Sequence, residues 1–166
     1  MRFGRKARWF AGGAAALAAA PVAASLAFAF YAAGLPPLDL DATKARSTIV
    51  VDKSGKLLRP FVMADGRWRM PLSARDVDPR YLAMLIDYED RRFRKHHGVD
   101  PVAILRAGWQ LVRHGRIVSG ASTLSMQVAR LVEPREERSV LAKVRQMARA
   151  IELERRVGKD GILDLY

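Results

Sequence analysis

The sequence predicts a mainly α-helical domain that follows a single N-terminal transmembrane helix and a small β element. Three observations predict it. Residues 9–38 contain no charged side chain and are mostly Ala, Leu, Phe and Val. Beyond residue 78 apolar residues recur at helical spacing, and two Asp-Pro pairs mark helix starts. Between these regions, residues 48–58 hold a β-branched run, a Lys-Ser-Gly turn and a second apolar pair, which is a hairpin pattern.

The bulk numbers fit that architecture. A chain of 166 residues accommodates one membrane segment and one modest domain. Half the residues are apolar, which supports a packed core and excludes a disordered polymer. Setting the apolar run aside leaves roughly 125 residues, an ordinary domain size. The net charge is +12, and Arg2, Arg5, Lys6 and Arg8 precede the run, leaving +8 for the rest. This surplus asks for an anionic partner: nucleic acid, an anionic membrane surface or a phosphate-bearing substrate would each satisfy it. With no cysteine, disulfides, zinc-thiolate sites and cysteine nucleophiles are excluded.

Residues 9–34 exceed the ~20 apolar residues that span a hydrocarbon core. The positive-inside rule places residues 1–8 as a cytoplasmic tail and everything after Gly34 across the membrane. Trp9 and Tyr31 stand near the two ends, where interfacial aromatics are common. The competing reading is a cleaved signal peptide with a site such as Ala27-Phe28-Ala29, and it too exports the domain. Residues 35–47, with Pro36 and Pro37, read as a short extended linker, and the folded domain takes residues 48–166. Trp68-Arg-Met-Pro-Leu suggests one more short strand.

Asp78-Pro79 supplies an N-cap oxygen followed by proline at the first helical position, and Asp100-Pro101 repeats the signal for a helix to about Val112. Ser122-Thr123 opens a third helix through Leu131. A fourth runs from about Arg135 to Val157, with Val140, Val144, Met147 and Ile151 as its apolar stripe and Gly158 as its C-cap. Asp160 begins a fifth, and the chain stops inside its apolar run at Tyr166, as a truncated domain would.

Leu82, Leu85, Ile86 and Glu89 fall at i, i+3, i+4 and i+7, so Glu89 shares the core-facing stripe while Asp87 and Asp90 project elsewhere. A carboxylate on such a stripe is costly unless paired, and its desolvation suits general acid or base work. Pairing with Arg91, Arg92 or Arg94 is the plainer alternative. His96 and His97 lack a companion cluster and read as structural rather than metal-ligating. Residues 120–127 place Ser122, Thr123 and open backbone amides at a helix N-terminus, which is either an anion site or ordinary capping. No acidic residue lies between Asp100 and Glu133, whereas Arg106, Arg113, Arg116 and Arg130 do. Arg138, Lys143, Arg145 and Arg149 make the fourth helix basic, as a solvated face or as a pyrophosphate grip.

Together these segments resemble the glycosyltransferase domain of class A penicillin-binding proteins. Glu89-Asp90-x-x-Phe93-x-x-His96-x-Gly98-x-Asp100 matches the family's first motif, and Gly120-Ala-Ser122-Thr123-Leu-Ser-Met-Gln127 matches the second. Lys143-Val-Arg145-Gln146 and residues 159–166 resemble the third and its sequel, and the wording of residues 125–131 is similar to the penicillin-binding protein 1C subgroup. Two positions depart: Met126 replaces a usual glutamine, and Gln146 a usual glutamate.

The resemblance implies a lysozyme-like fold, incomplete here, in a single-pass inner-membrane protein whose catalytic domain is periplasmic. It implies polymerisation of lipid II into β-1,4-linked glycan with release of undecaprenyl pyrophosphate. Glu89 would be the general base. Asp90, Phe93, His96, Gly98, Ser122, Thr123, Gln127, Arg138, Lys143, Arg145 and Gln146 would hold substrate and pyrophosphate. No metal ligand is assigned, although Mg2+ or Mn2+ at the pyrophosphate is left open. Expected partners are lipid II, the growing glycan, the membrane and, as an open option, other cell-wall synthesis proteins, with no nucleic acid. The rival readings are a membrane-anchored lytic glycosidase and an inactive fragment serving as a scaffold.

Overall fold

The structure is a computed structural model that describes residues 19–70, 72–116, 120–134 and 139–166. Two compact units divide between Pro37 and Leu38. In the first, residues 19–33 form a helix, α1, in which Ser25 Oγ donates to the Pro21 carbonyl (2.8 Å). Residues 1–18, which include part of the expected span, lie outside the described residues. Among the described residues no helix is long and apolar enough to cross a membrane.

The second unit begins docked rather than extended. Leu38 is buried; its N–H donates to Glu152 (3.0 Å) and its carbonyl accepts from Arg156 (2.8 Å). Asp41–Lys44 then form a 3-10 turn, so the free linker expected over residues 35–47 is corrected from Leu38 onward. Strands β1 (Ile49–Val51) and β2 (Leu57–Pro60) pair antiparallel, with Val50 opposite Arg59 and a bulge between Val50 and Val51. Asp52 closes the hairpin by accepting from Ser54 N–H (2.8 Å), Ser54 Oγ (2.6 Å) and Lys56 N–H (2.9 Å). The expected third strand is absent over residues 68–70; that segment is tied instead to Ser47, which donates its N–H to the Arg69 carbonyl (2.9 Å).

Helix α2 spans Pro79–Glu89 and α3 spans Pro101–His114, each capped by the aspartate before its proline. Asp78 accepts from Arg80 N–H (2.8 Å) and Asp100 from Val102 N–H (2.9 Å), which satisfies one orphan donor in each first turn. α3 ends where Gly115 turns left-handed. α4 (Leu124–Val132) and α5 (Val140–Leu165) pack against each other, and Gly158 (φ 70°, ψ −178°) interrupts α5 where the sequence placed a C-cap.

The main core gathers Leu38, Phe93, Leu124, Val128, Leu153, Ile162 and Leu163. A second cluster sets Met126 and Ala129 of α4 on Ala150 of α5. The stripe expected on α5 is therefore corrected. Val140 is 83% exposed, and Val144, Met147 and Ile151 are only half-buried. Before Gly158 the buried positions are Ala148, Arg149, Ala150, Leu153 and Glu154, because close helix approach favours alanine at the contact.

Candidate active site

On α2, Leu82, Leu85, Ile86 and Glu89 are the half-buried residues, and Tyr81, Ala83, Met84, Asp87 and Tyr88 are exposed. The helical spacing thus identifies the inward face. Glu89 ends the helix, and Gln127 Nε2 of α4 donates to its Oε2 (2.8 Å). The guanidinium partners considered from sequence are engaged elsewhere or outside: Arg92 pairs with Asp100 (3.0 Å) and Arg94 with Asp160 (3.3 Å).

The rest of the first motif is scaffold. Asp90, expected to project away from the core, is buried as the α2 C-cap. Its carboxylate meets His96 Nε2 (3.1 and 2.9 Å) and accepts from Leu124 N–H (3.0 Å). Phe93 is fully buried, edge-on to His96, and Lys159 Nζ lies 4.4 Å from its ring centre. Gly98 has φ +83°, and a Cβ there would come within 2.7 Å of Ile151 N and 2.8 Å of the Ala150 carbonyl. The backbone of that loop therefore lies directly on α5. These four side chains and backbone sites contact protein, and none lines the cavity described next.

Of the two readings of the second motif, the geometry favours capping. The α4 N-terminus is not open to an outside anion, because Asp90 already occupies Leu124 N–H and supplies the negative charge that the helix dipole favours. Thr123 is consumed too: its Oγ1 accepts from Met126 N–H (3.1 Å) and donates to the Gly98 carbonyl (2.5 Å). Leu124, Ser125 and Met126 are all buried. Met126 sits in the core against Ala129 and Ala150, so its side chain has no polar task here. Only Ser122 and Gln127 of this segment reach the cavity.

Sequence reasoning missed Glu154. This buried carboxylate accepts from Gly98 N–H (2.8 Å) and Ser125 Oγ (2.6 Å), and Lys159 Nζ pairs with its other oxygen (2.8 Å). One residue of α5 thereby fastens both motifs. Its i+4 relation to Ala150 was the available signal, masked by the larger apolar residues chosen for the stripe.

A cavity of about 1140 Å3 opens beside these supports. Ser122, Gln127, Arg130, Lys143, Gln146 and Tyr166 line it from the helical side. Lys143 Nζ donates to Ser122 Oγ (2.6 Å) and Gln146 Oε1 (3.1 Å), both neutral. Gln146 in turn donates from Nε2 to the Met126 carbonyl (2.6 Å), a bond that a glutamate could not make while ionised. Among the described residues no carboxylate pairs with Lys143. Desolvation, and then the nearby Arg130 charge, push its ammonium below the ordinary lysine range. The Tyr166 phenol is pushed up by burial and by the Glu89 charge, and Glu89 is linked to the cavity through its bond from Gln127.

The remaining basic residues differ in use. Arg145 pairs with Glu133 (2.5 Å), and the buried Arg149 bridges Glu133 and Glu152 (2.7 Å each), so these two are locked into the protein. Arg138 lies outside the described residues. Two further arginines, Arg67 and Arg69, line the cavity together with Asp65 from the β element, where sequence reading found no chemistry. Among the described residues no group of three or more His, Asp or Glu side chains converges to hold a metal ion, so a divalent ion finds no ready ligand set there.

Comparison with known proteins identifies the family. Residues 54–166 match the family described as Transglycosylase. Penicillin-binding protein 1C of Escherichia coli (strain K12) is 49% identical over 151 residues, covering 90% of this chain and 19% of that protein. Penicillin-binding protein 1A of Pseudomonas aeruginosa is 37% identical over 117 residues, covering 70% of this chain and 14% of that protein. Penicillin-binding protein 1A of Escherichia coli (strain K12) is 39% identical over 98 residues, covering 59% and 12%. The chain spans less than a fifth of the length of these relatives. With two thirds of its residues inside the family match, this chain belongs to the transglycosylase family.

Proposed function

We propose that this protein is a peptidoglycan glycosyltransferase that joins lipid II into β-1,4-linked glycan, with Glu89 as the general base. The observation that carries the reading is one cavity lined by Gln127, whose amide holds the half-buried Glu89 carboxylate, and by Lys143, a cation bonded among the described residues only to neutral oxygens. Glu89 takes the proton from the acceptor 4-hydroxyl. That oxygen bonds to the anomeric carbon of the growing chain, and the bond from that carbon to the undecaprenyl pyrophosphate oxygen breaks with its electron pair. The developing charge is on the leaving pyrophosphate, so fixed cations at that point supply the larger stabilisation. Lys143 and Arg130 do this, while Ser122 and Gln146 hold Lys143 without neutralising it, and Gln127 orients Glu89. Asp90, Phe93, His96, Gly98 and Thr123 act by fixing these groups in place, as does Arg145 through its pair with Glu133; Arg138 is kept as a pyrophosphate-binding residue on the motif resemblance alone.

The wider setting is part of the same proposal. Residues 9–34 anchor the chain in the inner membrane, residues 1–8 stay cytoplasmic, and the glycosyltransferase domain of lysozyme-like fold lies in the periplasm. Support comes from the apolar run and its charged flank. The outer face of α3 also fits a membrane surface. Leu105, Trp109 and Val112 are exposed there among Arg106 and Arg113, which suits entry of a lipid-borne substrate.

A lytic glycosidase would also use a half-buried glutamate, but it has no leaving pyrophosphate to justify the unpaired cations. Incubating the full chain in detergent with lipid II, and separately with preformed glycan, distinguishes the two. The expected result is polymer from lipid II and no cleavage of glycan. Cleavage without polymer would establish the glycosidase, and neither activity would establish an inert module.

A further inference from the structure

The β element contributes to the cavity in a way the motifs do not announce. Its loop is tightly held: Met63 N–H donates to the Arg67 carbonyl (2.9 Å), and Asp65 Oδ1 accepts from Arg67 N–H (3.1 Å). Gly66 makes the turn with φ 74°. Arg69 is braced by Asp65 (2.7 Å), by Met63 Sδ (3.1 Å) and by its own N–H to the buried Ser47 Oγ (2.8 Å). Asp65 stays ionised because the Arg67 N–H bond, and then the two arginine charges, hold its carboxyl below the usual range. Its direct ion pair is with Arg69, and Arg67 feels it only at longer range. Arg67 then reaches the cavity with an exposed guanidinium, and among the described residues no carboxylate pairs with it.

We propose that Arg67 is a second anion-binding residue of this cavity, presenting its guanidinium to the pyrophosphate of the lipid-linked substrate from the β element while Lys143 engages it from α5. This rests on the reading that the cavity takes a pyrophosphate. The physical case is threefold. A guanidinium matches phosphate oxygens with two parallel N–H donors, which an ammonium does not. The cavity, at about 1140 Å3, is larger than the ~300–1,000 Å3 of an ordinary small-ligand site, so one wall alone would leave a polyanion loosely held. The loop bonds fix the Arg67 backbone before any ligand arrives, which lowers the ordering cost of binding.

The test measures binding of inorganic pyrophosphate, and of farnesyl pyrophosphate, to the full chain in detergent. Wild type is compared with Arg67→Gln, Lys143→Met and Lys53→Gln, the last an exposed hairpin lysine that controls for net charge. Loss of one exposed charge-assisted contact is expected to weaken both probes about fivefold in Arg67→Gln, against less than about twofold in Lys53→Gln. Weakening with farnesyl pyrophosphate assigns the contact to the lipid-linked form, and weakening with the inorganic probe alone overturns that assignment. If Lys143→Met loses binding while Arg67→Gln matches Lys53→Gln, the role of Arg67 is overturned and the pyrophosphate cavity stands. If wild type binds neither probe, or no variant differs, both fall.

Discussion

Replacing Gly98 by alanine is the sharpest perturbation of the scaffold beneath Glu89. The new methyl would sit 2.7 Å from Ile151 N and 2.8 Å from Ala150 C and O, all backbone atoms of α5, so no rotamer change relieves it. The residue also has φ +83°, which costs a non-glycine residue about 1–2 kcal/mol. Inserting a methyl into a packed contact adds about 1–3 kcal/mol. Moving the loop to escape the clash would break the bond from Gly98 N–H to the buried Glu154 carboxylate, a contact to a charged group worth about 1.5–3 kcal/mol. These terms are alternatives as much as addends, so the expected loss is about 3–5 kcal/mol, a large part of the ~5–15 kcal/mol available to a domain. Thermal or urea unfolding followed by far-UV circular dichroism reads it, as a fall in Tm of about 10–20 °C. Gly108→Ala is the matched control: Gly108 lies within α3 with nothing within 4 Å of its added methyl, and alanine there should stabilise by about 0.5–1 kcal/mol. A Gly98→Ala protein within about 1 kcal/mol of wild type would refute the close approach of the first motif to α5.

Two other outcomes follow from the same geometry. Lys143→Met should shift unfolding by no more than about 1–2 kcal/mol, since only bonds to the neutral Ser122 and Gln146 are lost, and weaken pyrophosphate binding about tenfold to a hundredfold, read by calorimetric titration; unchanged affinity would remove Lys143 from the anion site. Stability should also fall with acid. Burial, the largest single influence, raises Asp100 and Glu152, but their hydrogen bonds and the arginine charges together bring them below their ordinary range. A depressed folded-state value means their contribution is present above about pH 4–5 and drains away as pH falls through it, because the unfolded chain takes up protons first. Urea midpoints between pH 6 and 3 should decline less steeply in Asp100→Asn than in wild type; parallel slopes would contradict the assignment.

What the sequence disclosed was local. Asp78-Pro79 and Asp100-Pro101 mark helix starts because the cap and the fixed proline φ act within one turn, and Gly158 marks a break for the same kind of reason. The Leu82, Leu85, Ile86, Glu89 spacing found the inward face of α2. What it withheld was long-range. Asp90 lies one residue past α2, outside its periodicity, yet it is buried by His96 and by the α4 end 34 residues away. The α4 amides looked available because nothing in residues 120–127 shows which carboxylate fills them. Glu154 and its alanine neighbours were overlooked because packing density, not hydropathy, selects the α5 face. Arg67 and Arg69 join the cavity only through the tertiary path of the β element.

The central claim is that Glu89 moves a proton at a site whose binding cations are separate from it. The most direct measurement is the single-turnover rate of glycosidic bond formation from lipid II in wild type and Glu89→Gln, with pyrophosphate affinity measured on both. A rate loss of about 10²–10⁴-fold, the usual worth of a positioned general base, is expected, with affinity unchanged within about twofold. A variant that forms bonds within about tenfold of the wild-type rate would contradict it.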